Sequence, residues 1–153
     1  MEDIARILVV SRMTKDCRKA VHYGVSLSQK YGAELYVIHV VHDPVMFSGW
    51  NLPIPTMREE YLKTVKEAKE DLSAVIRDEE SKGLSIKEII EEGEPTEKIL
   101  AAVKENSIDL IIMLAHEEGR LEHFLFGRSN EEIFRKMPCS ILLVKKEPEA
   151  VAF

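Results

Sequence analysis

Arg6-Ile7-Leu8-Val9-Val10, then Ser11-Arg12-Met13-Thr14, then Cys17, Ala20, Val21, Gly24, Leu27 and Ser28 recurring at three and four residues: this opening decides the fold. A short apolar run rich in branched residues suits a strand buried on both faces. The recurrence that follows, over Lys15 to Lys30, marks one small-to-apolar helix face, with Thr14 as a cap and Gly32 at the left-handed stop. The same alternation continues outward. Glu34 to Val41 reads as a strand, and Met57 to Lys82 as a charged helix with a stripe of Tyr61, Val65, Ala68, Leu72, Val75 and Ile76, closed by Gly83. Ile86 to Ile90 is a strand, and Gly93-Glu94-Pro95 turns into a helix with Ile99, Leu100, Ala102 and Val103 inside. Asp109 to Met113 is a strand, Ser129 to Lys136 a helix stopped by Pro138, and Ile141 to Val144 the last strand.

Five strands alternating with four helices imply an α/β, doubly wound, mostly parallel sheet with helices on both faces. Such sheets bind ligands outside the carboxyl ends of their strands, where the winding reverses. That edge is built here from 10–14, 40–43 and 113–130. One domain over 1–146 and a tail over 147–153 account for the 153 residues. The segment from His42 to Thr56 breaks the pattern. It holds Pro44, Gly49, Pro53 and Pro55 among Met46, Phe47, Trp50, Leu52 and Ile54, a long apolar loop suited to docking another protein.

With 27 acidic against 21 basic side chains, the net charge of −6 opposes extended contact with a nucleic-acid backbone but leaves room for one local anion site. Met1-Glu2-Asp3-Ile4 lacks the basic start of a signal peptide, and no apolar run is long enough for a bilayer, so the expected place is the cytoplasm without membrane partners. Cys17 and Cys139 form no paired-cysteine or zinc spacing and read as reduced thiols.

Five segments then resemble universal stress proteins, in order along the chain: Ile7-Leu8-Val9-Val10; Glu34-Leu35-Tyr36-Val37-Ile38-His39-Val40; Glu92-Gly93-Glu94-Pro95; Asp109-Leu110-Ile111-Ile112-Met113; and Gly127 through Pro138-Cys139-Ser140-Ile141-Leu142-Leu143-Val144. The resemblance implies an adenine-nucleotide alpha-hydrolase-like sheet of order 3-2-1-4-5. It also implies a nucleotide site formed by Val10, Ser11, Arg12, Val40, Met113, Gly127, Arg128, Ser129 and Asn130, and a homodimer through Ile141, Leu142, Leu143 and Val144. ATP-binding members carry G-x2-G-x9-G-[ST] after the fourth strand and an aspartate after the first. Here the two leading glycine positions are Leu114 and Glu117, only Gly127 survives, Arg128 follows it, and Arg12 stands at the aspartate position. Glycines let backbone approach phosphate, and a helix start then faces it with free amides. Leu114 removes that freedom. Glu117, with Glu118 and Glu122, sets negative charge near a triphosphate, which costs about 1–4 kcal/mol per close contact. Arg12 and Arg128 pull the other way and suit a phosphate or carboxylate. The expectation is an altered site, with ATP or another adenine nucleotide disfavoured as a cofactor.

Each feature also has a plainer reading. Ser129-Asn130-Glu131-Glu132 fits a capping box, and Gly127 fits a tight turn as well as a phosphate approach. His42 and His116 beside Asp43 and Glu117 suggest zinc chemistry, but without metal-site spacing they read as solvated loop residues. His39 reads as a hydrogen-bonded structural histidine, and Cys17 as a small helix residue in preference to an activated thiol. There is no nucleophile elbow, phosphate loop or hydrolase acid pair, which weighs against an enzyme. The leading expectation is therefore a regulatory or binding module. The alternatives are a weak ATP or AMP hydrolase acting through Arg12, Gly127, Arg128 and Ser129, and a protein-docking module using 42–56.

Overall fold

The computed structural model describes residues 3–11, 17–41, 83–115 and 128–145, together with 59, 63, 66, 67, 69, 70, 73–78 and 80. Its strands are β1 (Arg6–Ser11), β2 (Glu34–Val41), β3 (Ile86–Glu92), β4 (Leu110–Leu114) and β5 (Ser140–Val144). Its helices are α1 (Cys17–Tyr31), α2 (73–78, with the described positions from 59 onward also helical), α3 (Pro95–Glu105) and α4 (Arg128–Lys136). The sheet is parallel throughout, in the order β3-β2-β1-β4-β5 expected from the sequence.

Side chains alternate across the pleat, so each central strand feeds two cores. Ile7, Val9, Leu35, Val37, Ile86, Leu110, Ile112 and Leu114 pack with Ala20, Val21 and Val25 of α1 and Ile76 of α2. Leu8, Val10, Tyr36, Ile38, Val40, Ile111 and Met113 pack on the other face with Ile99, Ala102 and Val103 of α3 and Ile133 of α4. Two buried faces explain why β1 and β4 read as unbroken apolar runs. At Gly24, an added Cβ would lie 2.5 Å from Val9 Cγ2 and 3.0 Å from Leu35 Cδ1. The small-residue face of α1 thus lets the helix sit close on β1 and β2.

Element ends follow local chemistry. Gly32 (φ +66°) and Gly83 (φ +95°) take the left-handed turn expected after α1 and α2. Ser28 reinforces the first of these turns, its carbonyl accepting from Ala33 N at 3.0 Å. At α3 the Glu94 carboxylate accepts from Glu97 N at 2.8 Å, and Pro95 follows in the first turn, where its missing N–H costs nothing. Asp109, entering β4, accepts from both Ala5 N and Arg6 N at 2.9 Å and ties the start of β1 to β4. Several boundaries differ from the sequence reading: β4 runs one residue later, from Leu110 to Leu114, and β5 begins one residue earlier, at Ser140. β3 extends two residues further, to Glu92, because its charged end still pairs with Val40 and Val41. β1 takes in Ser11, which pairs with His39. α4 opens at Arg128, so Ser129 lies inside its first turn and is not its cap. No helix among the described residues is long and apolar enough to cross a membrane.

Candidate functional site at the carboxyl edge of the sheet

Winding reverses between β1 and β4. From β1 the chain moves outward to β2 and β3, and from β4 it moves the other way to β5. The carboxyl ends of β1 and β4 therefore form the crevice where this architecture binds ligands. Val10 and Ser11 end β1, Val40 and Val41 end β2, and Met113 and Leu114 end β4. Past β4, Ala115 N donates to Val144 O at 2.7 Å, which brings the end of β5 to the same edge. The backbone of α4 begins with Arg128, Ser129 and Asn130.

Of the nine residues expected at the site, the structure brings Val10, Ser11, Val40 and Met113 to one end of the sheet. Their side chains are buried there. Val10, Val40 and Met113 belong to the core beneath α3 and α4, so at this edge they offer backbone groups and not side chains. Arg12 and Gly127 lie outside the described residues. So do the side chains of Arg128, Ser129 and Asn130, residues Glu117, Glu118 and Glu122, the histidines His42 and His116, and the loop 42–56. Leu114 ends β4 with its side chain in the α1-side core. At that position a glycine would change the packing as well as the backbone freedom.

Two pairings at or near this region escaped the sequence reading. Lys19, near the start of α1, donates its Nζ to Lys145 O at 2.7 Å and ties that helix to the end of β5. A lone lysine on a helix carries no signal of a partner 126 positions away. His39 is wholly buried on the α1/α2 side of β2, with Nε2 2.8 Å from Glu88 Oε1 on β3. The approach lacks the alignment of a hydrogen bond at either ring nitrogen, so the structural histidine expected from sequence is held by packing, beside the Glu88 carboxylate. Burial pushes its pKa below the usual 6.5. Glu88 opposes that shift, and Lys69 adds to it. Cys139 is half-buried, and burial raises its thiol pKa, the reverse of an activated thiolate.

β5 lies at an edge of the sheet, as expected. Val144 is buried and Ile141 and Leu142 partly so, but Leu143 is 45% exposed. By alternation Leu143 stands on the same side of the sheet as Ile141, which packs in the α3/α4 core. Phe134 on α4 and Met137 just past its end are also exposed.

Comparison with known proteins agrees with this architecture. The profile of the universal stress protein family matches residues 4–145. A universal stress protein of Methanocaldococcus jannaschii is 30% identical over 134 residues, 84% of this chain and 74% of that protein. One from Methanothermobacter thermautotrophicus is 23% identical across 95% of this chain and 99% of its own length. Among solved structures, the protein MJ0577 superposes with a TM-score of 0.70 at 23% identity, covering 97% of this chain and all of that one. Universal stress protein UspA from Lactobacillus plantarum gives 0.70 at 20% identity, covering 94% and 99%. At such identities the superpositions speak for the fold alone, while the family profile and the sequence relatives span most of the chain. The chain belongs to the universal stress protein family.

Proposed function

We propose that the chain is a cytoplasmic regulatory or binding module, homodimeric through β5, whose carboxyl-edge site has lost tight binding of ATP. The observation that carries this reading is the switch point between β1 and β4, in place for a nucleotide, combined with the residues that follow each strand. Leu114 and Glu117 stand at glycine positions, and Arg12 stands at the aspartate position. Calorimetry on nucleotide-stripped protein tests it. Binding of ATP should be weaker than micromolar; a Kd at or below that range, about −8 kcal/mol, overturns the reading.

A second reading keeps a nucleotide at the same edge. Structural neighbours with TM-scores of 0.61 and 0.60 are described as complexes with cAMP and dAMP. Adenine nucleotides with one phosphate present less charge to Glu117 than ATP does, and Arg12 and Arg128 suit a single phosphate. A thermal-shift series with ATP, ADP, AMP, cyclic AMP and inorganic phosphate separates the readings, and turnover of any nucleotide that binds tests the hydrolase alternative. If the site is an anion site, Arg12→Ala with Arg128→Ala abolishes the phosphate response. An unchanged response places the pocket elsewhere.

A further inference from the structure

Away from the nucleotide edge, a cavity of about 390 Å³ lies between β3 and the helix that covers it. Among the described residues its wall carries Lys66, Lys69 and Arg77 on one hand and Glu70, Glu80 and Glu88 on the other, with Ser73 and Ile76 between them. Positions 66, 69, 70, 73, 76, 77 and 80 fall on one helix face at three- and four-residue spacing. Its inner border turns to the sheet, where Ile76 is buried in the core, while Lys66, Glu70, Arg77 and Glu80 are exposed. Helix faces that cover a sheet are ordinarily apolar. Here charged side chains border the apolar face and line the gap. None of the six charged residues is ion-paired with another of the six.

Among the described residues the wall is balanced, three cations against three carboxylates. A simple anion meets the carboxylates and a simple cation meets the lysines and arginine. A molecule bearing both charges satisfies both sets, and the volume falls within the range of small-molecule pockets. We infer that this cavity binds a small zwitterion of the amino-acid class, its carboxylate facing Lys66, Lys69 and Arg77, its ammonium facing Glu88, and its side chain against Ile76. Glu88 links the cavity to the interior, because its carboxylate also lies 2.8 Å from the buried His39. An ammonium at Glu88 adds positive charge beside that imidazole. Occupancy therefore lowers the His39 pKa, and the ring becomes a reporter.

The test is NMR titration of the wild-type chain with each of the twenty amino acids, using acetate and methylammonium as single-charge controls, with His39 Cε1–H observed. At least one amino acid should saturate, shift this resonance and lower the ring's pKa, while neither control saturates over the same range. Glu88→Gln, which keeps the shape of the side chain, should weaken that binding by roughly tenfold or more, as for loss of one charged contact. Lys66→Met with Arg77→Met, at exposed positions of the covering helix, should weaken it likewise. The inference fails if no amino acid saturates, if acetate or methylammonium binds as well, or if folded double-methionine protein binds like wild type. Nucleotide binding at the carboxyl edge is unaffected by either result, so this test stands apart from the proposed function.

Discussion

His39 and Glu88 meet across neighbouring strands at 2.8 Å, and only the histidine is shut off from water: its side chain is wholly buried, while that of Glu88 is 31% exposed. The groups facing the imidazole are Glu88 from β3 and Lys69 from the covering helix, and burial outweighs the carboxylate. The folded-state pKa is thus below the unfolded value of 6.5. Above 6.5 both states are neutral and the histidine adds no pH dependence. As pH falls below 6.5 the unfolded chain takes up the proton first, so stability is lost progressively until the folded pKa is passed. Denaturant melts should show stability falling between pH 6.5 and the onset of carboxylate titration. His39→Gln should flatten that slope, and an unchanged slope in the variant assigns the effect to other groups.

Gly24 and Val9 define the distance between α1 and the sheet. Alanine favours a helix over glycine by about 1 kcal/mol. Against that, overpacking a rigid core costs about 1–3 kcal/mol, and Val9 is a stiff, fully buried strand residue. The second effect should win, so Gly24→Ala lowers stability by about 1–2 kcal/mol. Adding Val9→Ala should recover part of that loss, giving a non-additive cycle. A Gly24→Ala protein as stable as wild type shows that α1 moves away at no cost.

Met137 ends α4 with φ +40° while its N–H reaches Ile133 O at 2.9 Å. This is a left-handed stop held by a side chain that is 60% exposed and adds little packing. Relief of the backbone penalty, about 1–2 kcal/mol, exceeds the extra unfolded-state entropy of glycine, roughly 0.5–1 kcal/mol. Met137→Gly should therefore raise the midpoint of chemical unfolding, while Met137→Ala should not. Equal behaviour of the two variants removes the explanation.

Leu143 tests the assembly. It is exposed on an edge strand with apolar neighbours, and such edges are pairing templates that proteins normally cover. An isologous pairing of β5 with its copy covers it at once. Light scattering should give twice 17.5 kDa at micromolar concentration. Leu143→Asp should yield a folded monomer, and Leu142→Pro should also dissociate the pair by removing a backbone donor and straining the strand. Circular dichroism should show that both variants remain folded. A monomeric wild type, or a folded variant that stays dimeric, defeats the assignment.

Periodicity alone made the alternation of strands and helices legible, because burial on two faces writes itself as apolar runs such as Ile7-Leu8-Val9-Val10 and one-sided burial as helical stripes. The turns at Gly32 and Gly83 and the proline start of α3 were legible too, since each depends on the conformational limits of one residue. The altered glycine pattern at Leu114, Glu117 and Gly127 was read through the family resemblance and not from periodicity. Strand order came from the family resemblance, and the pairing of the five strands bears it out. What tertiary structure decided are relations between distant positions: the place of Leu114 in the α1-side core, the hold of Lys19 on Lys145, and the meeting of His39 with Glu88 beside a charged cavity. None of these has a local signature. Periodicity records whether a side chain is buried, but which partner it meets depends on strand register and on where each helix crosses the sheet.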